Sequence, residues 1–258
     1  MKESRVNIPT SSGAMETFIT HPGQSGAAFP AVILYMDVWG VREELFDIAR
    51  RIATVGYYCM VPDFYYRQGK VRNEFRNEKN QILSVARLDA EKQTRVRAPL
   101  QKLADAMVID DTGAILNFLG KGEPVRAGGM GCLGYCMGGR HVFRVAGQFP
   151  DRFRASASLH GTNLVTDAVD SPHMSARKAQ GELYCGFGEK DPWASPVTVT
   201  TLAANFRDCN VKYQYEVHSG AEHGYALPER DVHDKQAANR DWEIIFAMYL
   251  RQIPPHPR

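Results

Sequence analysis

With 258 residues, the chain is long enough for one large α/β domain with a buried core. Its hydrophobic share of 44% and its charged share of 23% are ordinary for a globular protein. The 31 basic and 29 acidic side chains give a formal charge of +2, so we expect no nucleic acid and no anionic membrane as partner. The first nine residues are polar and charged, unlike a signal peptide, and the longest early apolar run, 31–36, cannot span a bilayer. These features predict a cytoplasmic protein.

Short apolar runs alternate with longer amphipathic segments, a pattern typical of a mainly parallel sheet with helices on both faces. The charged segment 65–100 is predicted to hold short helices over one end of the sheet, and prolines 254, 255 and 257 to form a tail. We find no linker, so we predict a single domain over residues 1–258. The predicted strands are 15–20, 31–36, 57–61, 128–134, 155–159, 182–186 and 212–217, and the predicted helices are 43–55, 103–119, 137–148, 196–207 and 232–250.

The five cysteines stand at irregular positions, and no two of them form a Cys-x-x-Cys pair. This arrangement argues against a zinc site, a dithiol redox motif and, in a chain of this size, a disulfide framework. Four of the cysteines are interpreted as small buried apolar residues and one as a reactive thiol.

The segment 134–138, Gly-Tyr-Cys-Met-Gly, joins a predicted strand to a predicted helix. It has the form of a strand-to-helix elbow with cysteine in the place usual for serine. Glycines are needed there because the central residue has a strained backbone and its neighbours pack closely against a strand and a helix. Since the positive end of a helix dipole favours a thiolate, Cys136 is the candidate nucleophile. Cys132 lies inside the preceding strand and is interpreted as a core residue.

A candidate acid and a candidate base follow in the chain order that this kind of nucleophile requires. Glu189 and Asp191 follow a late strand, and we favour Asp191 because the next residue, a proline, makes its loop rigid. A turn or N-cap role for Asp191 stays open. His218 and His223 follow the last strand. We favour His223, which lies in a loop beside a glycine, because a base has to reach the thiol while the acid holds its other nitrogen.

An oxyanion hole for this reaction needs two backbone N–H donors. Met137 directly follows the nucleophile and is one candidate donor. The loop after strand 31–36 should supply the other, and its candidate is Val38.

Several short segments, in this order, resemble one known family: 30–34 with 37–40, 61–65, 134–139, Gly188 with Asp191, and 220–225. The family is that of dienelactone hydrolase (carboxymethylenebutenolidase), and the resemblance runs from about Val6 to Ile253. It implies an α/β-hydrolase fold and a triad of Cys136, His223 and Asp191. It also implies hydrolysis of a lactone or ester through a thioester acyl-enzyme, with no metal or organic cofactor.

Two positions depart from the family pattern. The family has a glutamate before the oxyanion residue, which controls whether the cysteine is a thiol or a thiolate. Here that residue is Asp37, which is assigned to thiol modulation, with a structural turn as the alternative. The family also has an arginine four residues after the catalytic histidine, and this arginine binds the substrate carboxylate. Here that position is Leu227. The second carboxylate-binding arginine of the family falls near Arg95 or Arg97, on a segment typical of a solvated helix face. We therefore expect an ester or lactone that is less charged or larger than dienelactone.

Trp39, His160, Trp193 and Tyr225 are candidates for lining the substrate pocket, and each could equally be a packing residue. The predicted partner is a small-molecule ester or lactone, and the predicted state is a monomer or homodimer. Two alternatives stay open. One is a general carboxylesterase or thioesterase of the same fold, and the other is a ligand-binding protein with a redox-sensitive thiol at Cys136.

Overall fold

The computed structural model of the protein describes residues 1–256. Residues 257 and 258, the last two of the predicted domain, lie outside the described residues, and Pro257 of the predicted tail is one of them. The strands are β1 Lys2–Thr10, β2 Gly13–His21, β3 Ala31–Tyr35, β4 Tyr58–Pro62, β5 Met130–Tyr135, β6 Phe153–Leu159, β7 Glu182–Gly188 and β8 Lys212–His218. The helices are α1 Glu43–Thr54, α2 Ala90–Gln101, α3 Asp105–Leu119, α4 Met137–Gln148, α5 Pro172–Ala176, α6 Pro196–Asp208 and α7 Lys235–Gln252.

The eight strands form one sheet in the order β1-β2-β4-β3-β5-β6-β7-β8. β1 pairs antiparallel with β2, and β2 pairs antiparallel with β4, whereas all the other pairs are parallel. Strands β3, β4, β5 and β7 are buried along their whole length. Their nearly continuous apolar sequences follow from this, because a strand covered on both faces has no solvent side for polar residues.

Helices cover both faces of the sheet. On one face the guanidinium of Arg51 in α1 lies 4.4 Å from the ring of Trp242 in α7. On the other face the rings of Phe143 in α4 and Phe206 in α6 pack with their centroids 5.6 Å apart. The predicted α/β architecture with helices on both faces is therefore confirmed.

The region 65–100 contains two short 3-10 helices and α2. Val96 of α2 and Ile82 pack into one apolar cluster with Val38 and Trp39, which follow β3. Because parallel strands place their carboxyl ends at one edge of a sheet, this region lies over the edge where the β3 and β5 loops emerge.

Two elements were not predicted from the sequence. Most of β1 is exposed, so it has no apolar run to mark it, and pairing with β2 along its full length defines it instead. The short helix α5, Pro172–Ala176, is buried against α4 at Gly147, where an added Cβ would lie 2.0 Å from the Ser175 carbonyl oxygen. Within residues 1–256, none of the helices combines the length and apolar composition needed to cross a bilayer.

Close backbone contact at Gly138 predicts that this position tolerates no side chain. A Cβ there would lie 2.2 Å from the Tyr35 carbonyl oxygen, so α4 would have to move away from the end of β3. Gly138→Ala should lower the free energy of unfolding by about 1–3 kcal/mol in urea denaturation, the usual cost of overpacking.

Gly113 supplies a matched control, since it lies inside α3 and a Cβ added there would meet no neighbouring atom within 4 Å. Gly113→Ala should raise the free energy of unfolding by about 0.5–1 kcal/mol, because alanine is the better helix former. A Gly138→Ala protein as stable as the wild type would show that the close approach of α4 to β3 does not exist.

Candidate active site

Cys136 occupies the turn between β5 and α4 and has the backbone angles φ 56° and ψ −117°. A non-glycine residue rarely adopts a positive φ, so the surrounding packing has to impose it. A Cβ on Gly134 would lie 2.2 Å from the carbonyl oxygen of Gly138, so only glycine permits this turn. The Cys136 N–H donates to the Leu159 carbonyl at 3.1 Å, and its own carbonyl accepts from the Thr162 N–H at 3.2 Å. These contacts fix the thiol at the N-terminus of α4.

His223 and Cys136 line the same cavity, close enough for the sulfur to raise the pKa of the His223 ring. The His223 Nδ1 donates to Asp191 Oδ2 over 2.8 Å, and the Asp191 side chain is fully buried. Its other oxygen, Oδ1, accepts from the Trp193 N–H at 2.9 Å, which holds the carboxylate in the turn after β7. The structure thus brings together the three residues that the sequence indicated as nucleophile, base and acid.

The surroundings of the His223 imidazole favour its protonated form. Burial by itself would lower the pKa of His223, but the negative charge of the Cys136 sulfur and the hydrogen bonds to Asp191 and Cys136 raise it to about 10. At neutral pH the ring therefore carries a proton and places a positive charge beside the Cys136 sulfur.

The two rival residues are engaged elsewhere. His218 Nε2 bonds Asp241 Oδ1 at 2.7 Å, away from the thiol. Glu189 accepts from Ser219 Oγ at 3.0 Å and from the Gly220 N–H at 2.7 Å on the exposed surface. His218 therefore joins the end of β8 to α7, and Glu189 holds the loop that follows β8.

The candidate oxyanion donors lie on two elements that Tyr65 connects. Met137 begins α4, so its N–H belongs to the first turn and has no partner within the helix. Val38 lies in the loop after β3. The Tyr65 hydroxyl donates to the Val38 carbonyl at 3.3 Å and contacts the Met137 sulfur at 3.4 Å. Nothing in the sequence pattern pointed to this contact, which holds the two loops together. The oxyanion roles stay predictions.

Asp37 forms a buried ion pair. Arg42 donates from Nη1 to Asp37 Oδ1 at 2.7 Å and from Nη2 to Oδ2 at 3.1 Å, and its Nε bonds Glu44 at 3.0 Å. Burial would lower the pKa of Arg42, but the two carboxylates raise it above its ordinary value. Asp37 also accepts from the Trp39 N–H at 3.1 Å, so its carboxylate shapes the loop that follows β3. A direct effect of Asp37 on the thiol stays a prediction.

Arg230 also lies beside Asp37 and Trp39, although the sequence pattern did not indicate it. Its side chain is 4% exposed, its guanidinium lies 5.1 Å from the Trp39 ring, and its Nη1 is 3.8 Å from Asp37 Oδ2. Its Nε has no hydrogen-bond partner among residues 1–256. Burial lowers the pKa of Arg230, but an arginine stays charged at neutral pH. The site therefore contains a cation, which the leucine at position 227 had argued against.

Cys136, His223 and Arg230 line a small cavity of about 20 Å³. Of the four candidate pocket residues, Trp39 and His160 line it as well. Tyr225 is buried behind His160, with its hydroxyl bonded to Asp241 at 2.6 Å. Trp193 is 45% exposed and lies outside the cavity lining. Arg95 and Arg97 are exposed on α2, as a solvated helix face requires.

The region 65–100 covers one side of this cavity. Val85 lines it directly, and the neighbouring Ser84 donates from its N–H and its hydroxyl to Asp231 Oδ1 at 2.9 and 2.7 Å. Arg87 donates to Asp231 Oδ2 at 2.8 Å and also pairs with Glu222. The covering region is thus attached to the loop that carries His223 and Arg230.

The sequence matches the family model of the dienelactone hydrolase family over residues 15–252. The chain belongs to this family. Its place among the dienelactone hydrolases makes it a hydrolase of the class that acts on ester and lactone bonds.

Known relatives of this dienelactone hydrolase family member cover nearly its whole length. A Salmonella typhimurium protein described as a putative carboxymethylenebutenolidase is 24% identical over 251 residues, which cover 94% of this chain and 86% of that protein. A Bradyrhizobium protein described as a probable 2-oxo-3-(5-oxofuran-2-ylidene)propanoate lactonase is 25% identical over 250 residues, which cover 95% and 92%. The crystal structure of a putative dienelactone hydrolase from Klebsiella pneumoniae has a TM-score of 0.83 at 22% identity and covers 97% of this chain and 98% of that one. The predicted α/β-hydrolase fold is confirmed.

The charge state of His223 predicts how its ring titrates. In the wild type, the imidazole should stay protonated up to about pH 10 and lose its proton above that value. Cys136→Ala removes the negative sulfur, so the pKa of His223 should fall by about 1–3 units, the usual effect of one close opposite charge. NMR titration of the His223 ring measures both values.

Cys209→Ser provides the control, because Cys209 bonds backbone carbonyls at the end of α6. Its His223 titration should match the wild type. An unchanged His223 pKa in Cys136→Ala would show that the sulfur does not hold the proton on His223.

Proposed function

We propose that the protein hydrolyses a small lactone or carboxylic ester that carries a carboxylate, through a thioester on Cys136. The observation that supports this most strongly is the chain of contacts from Cys136 through His223 to Asp191, with the Arg230 cation in the same cavity. A nucleophile, a base and an orienting acid in contact are what acyl transfer requires.

In the first half-reaction, the Cys136 thiolate attacks the carbonyl carbon of the substrate and the carbonyl oxygen becomes an oxyanion. The N–H groups of Val38 and Met137 donate to that oxyanion. The C–O bond of the ester then breaks, and the His223 imidazolium gives its proton to the leaving oxygen. In a lactone, the released hydroxyl stays attached to the acyl chain.

In the second half-reaction, water attacks the thioester carbon and passes a proton to His223. The C–S bond breaks, Cys136 leaves as a thiolate, and the carboxylic acid is released. His223 is again an imidazolium beside a thiolate, so the enzyme returns to its starting state. Asp191 keeps the ring oriented through both steps, because its bond to Nδ1 leaves Nε2 facing the sulfur.

Arg230 supports a carboxylate on the substrate. Its Nε lacks a partner among residues 1–256 although it lies in a closed cavity, and a carboxylate is the ligand that a guanidinium binds with the most favourable geometry. The Bradyrhizobium relative is named for a substrate that is both a lactone and a carboxylate. A cavity of about 20 Å³ is smaller than such a molecule, so only part of the substrate fits beside Arg230 unless neighbouring side chains move.

Replacing the sulfur tests the nucleophile. Cys136→Ala should abolish turnover of a small aryl ester in a spectrophotometric assay, because no thioester can form. Cys132→Ala, a buried cysteine in β5, serves as the control and should keep its activity when folded. Undiminished turnover by Cys136→Ala would overturn the proposed function.

Replacing the cation tests the substrate class. Arg230→Met should lower kcat/KM for a lactone with a carboxylate by about 10- to 100-fold, mainly through KM, because a hydrogen bond to a charged group contributes about 1.5–3 kcal/mol. For the methyl ester of the same lactone, the change should stay within about threefold.

Arg95→Met is the matched control, because Arg95 is exposed on α2 and bonds Asn73. It should leave both values unchanged. Equal losses on the charged and the neutral lactone in Arg230→Met would show that Arg230 stabilises the site without binding a carboxylate.

A further inference from the structure

A second histidine lines the cavity, and the mechanism above does not use it. His160 follows β6 and is 1% exposed, and its backbone has φ 39°, a value that non-glycine residues rarely adopt. Its N–H donates to the Gly186 carbonyl at 2.8 Å, which holds the backbone at the end of β7. Neither of its ring nitrogens has a hydrogen-bond partner within residues 1–256. A buried polar ring without partners calls for a ligand on the cavity side.

Three aromatic rings fix the orientation of this imidazole. The ring centroid of His160 lies 5.0 Å from that of His223, 5.6 Å from that of Tyr225 and 5.7 Å from that of Tyr135. The His223 and Tyr225 contacts are edge-to-face. His160 is therefore held next to the base in a fixed orientation.

The electrostatic surroundings keep His160 neutral. Burial, together with the positive charges of His223, Arg230 and Arg42, holds the pKa of His160 well below its usual range. A neutral imidazole offers one N–H donor and one acceptor nitrogen. Its low basicity makes it a poor proton acceptor but leaves it able to form hydrogen bonds.

The size of the cavity indicates which ligand fits between the two histidines. About 20 Å³ is room for one water molecule, and a buried water needs two to four polar partners. The cavity supplies such partners in Cys136, His160, His223 and Arg230. A water held there would be adjacent to the sulfur that carries the acyl group.

We propose that His160 holds the hydrolytic water of the second half-reaction, an inference that rests on the proposed acyl-enzyme. The water donates one O–H to the acceptor nitrogen of His160 and the other to Nε2 of His223. This leaves a lone pair of the water oxygen free to attack the thioester carbon. The proton moves to His223 alone, the C–S bond breaks, and His160 remains neutral throughout.

The test separates the two half-reactions with p-nitrophenyl acetate in a stopped-flow burst assay of the full chain. His160→Phe retains a ring of similar size but removes both nitrogens. Its acylation rate should stay within about twofold of the wild type, while its deacylation rate should fall about 10- to 100-fold, the range expected when a reactant loses its orientation. His160→Asn, which tolerates a positive φ and keeps an acceptor oxygen, should lose less.

Added hydroxylamine provides a readout that a general structural defect would not give. It is a stronger nucleophile than water and does not depend on an oriented water, so it should restore turnover of the His160→Phe acyl-enzyme. His141→Phe is the matched control. His141 is another buried histidine whose ring nitrogens have no hydrogen-bond partner among the described residues. It lies in α4 outside the cavity, so the ratio of the two rates should not change.

The assignment of His160 would be overturned if acylation and deacylation slowed equally in the two His160 variants, or if neither rate fell. Failure of hydroxylamine to restore turnover would overturn it as well. A wild type with no first-turnover burst that depends on Cys136 would overturn the proposed function itself and, with it, this inference. The two failures are therefore distinguishable.

Discussion

The backbone at Cys136 is the constraint on which the rest of the site depends. Its φ of 56° is imposed by the close approach of α4 to β5 at Gly134 and to the end of β3 at Gly138, where neither position has room for a Cβ. This turn places the thiol at the positive end of α4 and directs it toward His223. A relaxed turn would move the sulfur away from His223, so the packing at these two glycines positions the thiol beside the imidazole.

A buried charge cluster connects the loop after β3 to Arg230 in the cavity. It consists of Asp37, Arg42, Glu44 and Arg230, two carboxylates and two guanidiniums. Removing one partner from a buried ion pair costs about 3–5 kcal/mol, because the other charge is then left uncompensated. The same cluster reaches the loop after His223, since the Glu44 carboxylate accepts from the Glu229 N–H at 2.6 Å. Loop geometry and cavity charge are therefore coupled through one set of contacts.

The sequence predicted the central strands, and it indicated that Cys136, His223 and Asp191 lie together, because each of these features has a local cause. Buried parallel strands need continuous apolar runs, and the turn at Cys136 needs its glycines. β1 escaped notice because an exposed edge strand needs no such run. Arg230 was not predicted because it stands at none of the arginine positions of the family pattern, 227 and 95 or 97, and only the path of the loop after His223 brings it into the cavity. Long-range contacts of loops are set by packing, which a single sequence does not display.

The most direct test of the central claim is to trap the acyl group. The wild type is mixed with an aryl ester, quenched in acid within the first turnover, digested and mapped by mass spectrometry. The account predicts one acyl group, attached through a thioester to the peptide that contains Cys136 and removed by neutral hydroxylamine. An acyl group on any other residue, or turnover without an acylated peptide, would contradict it.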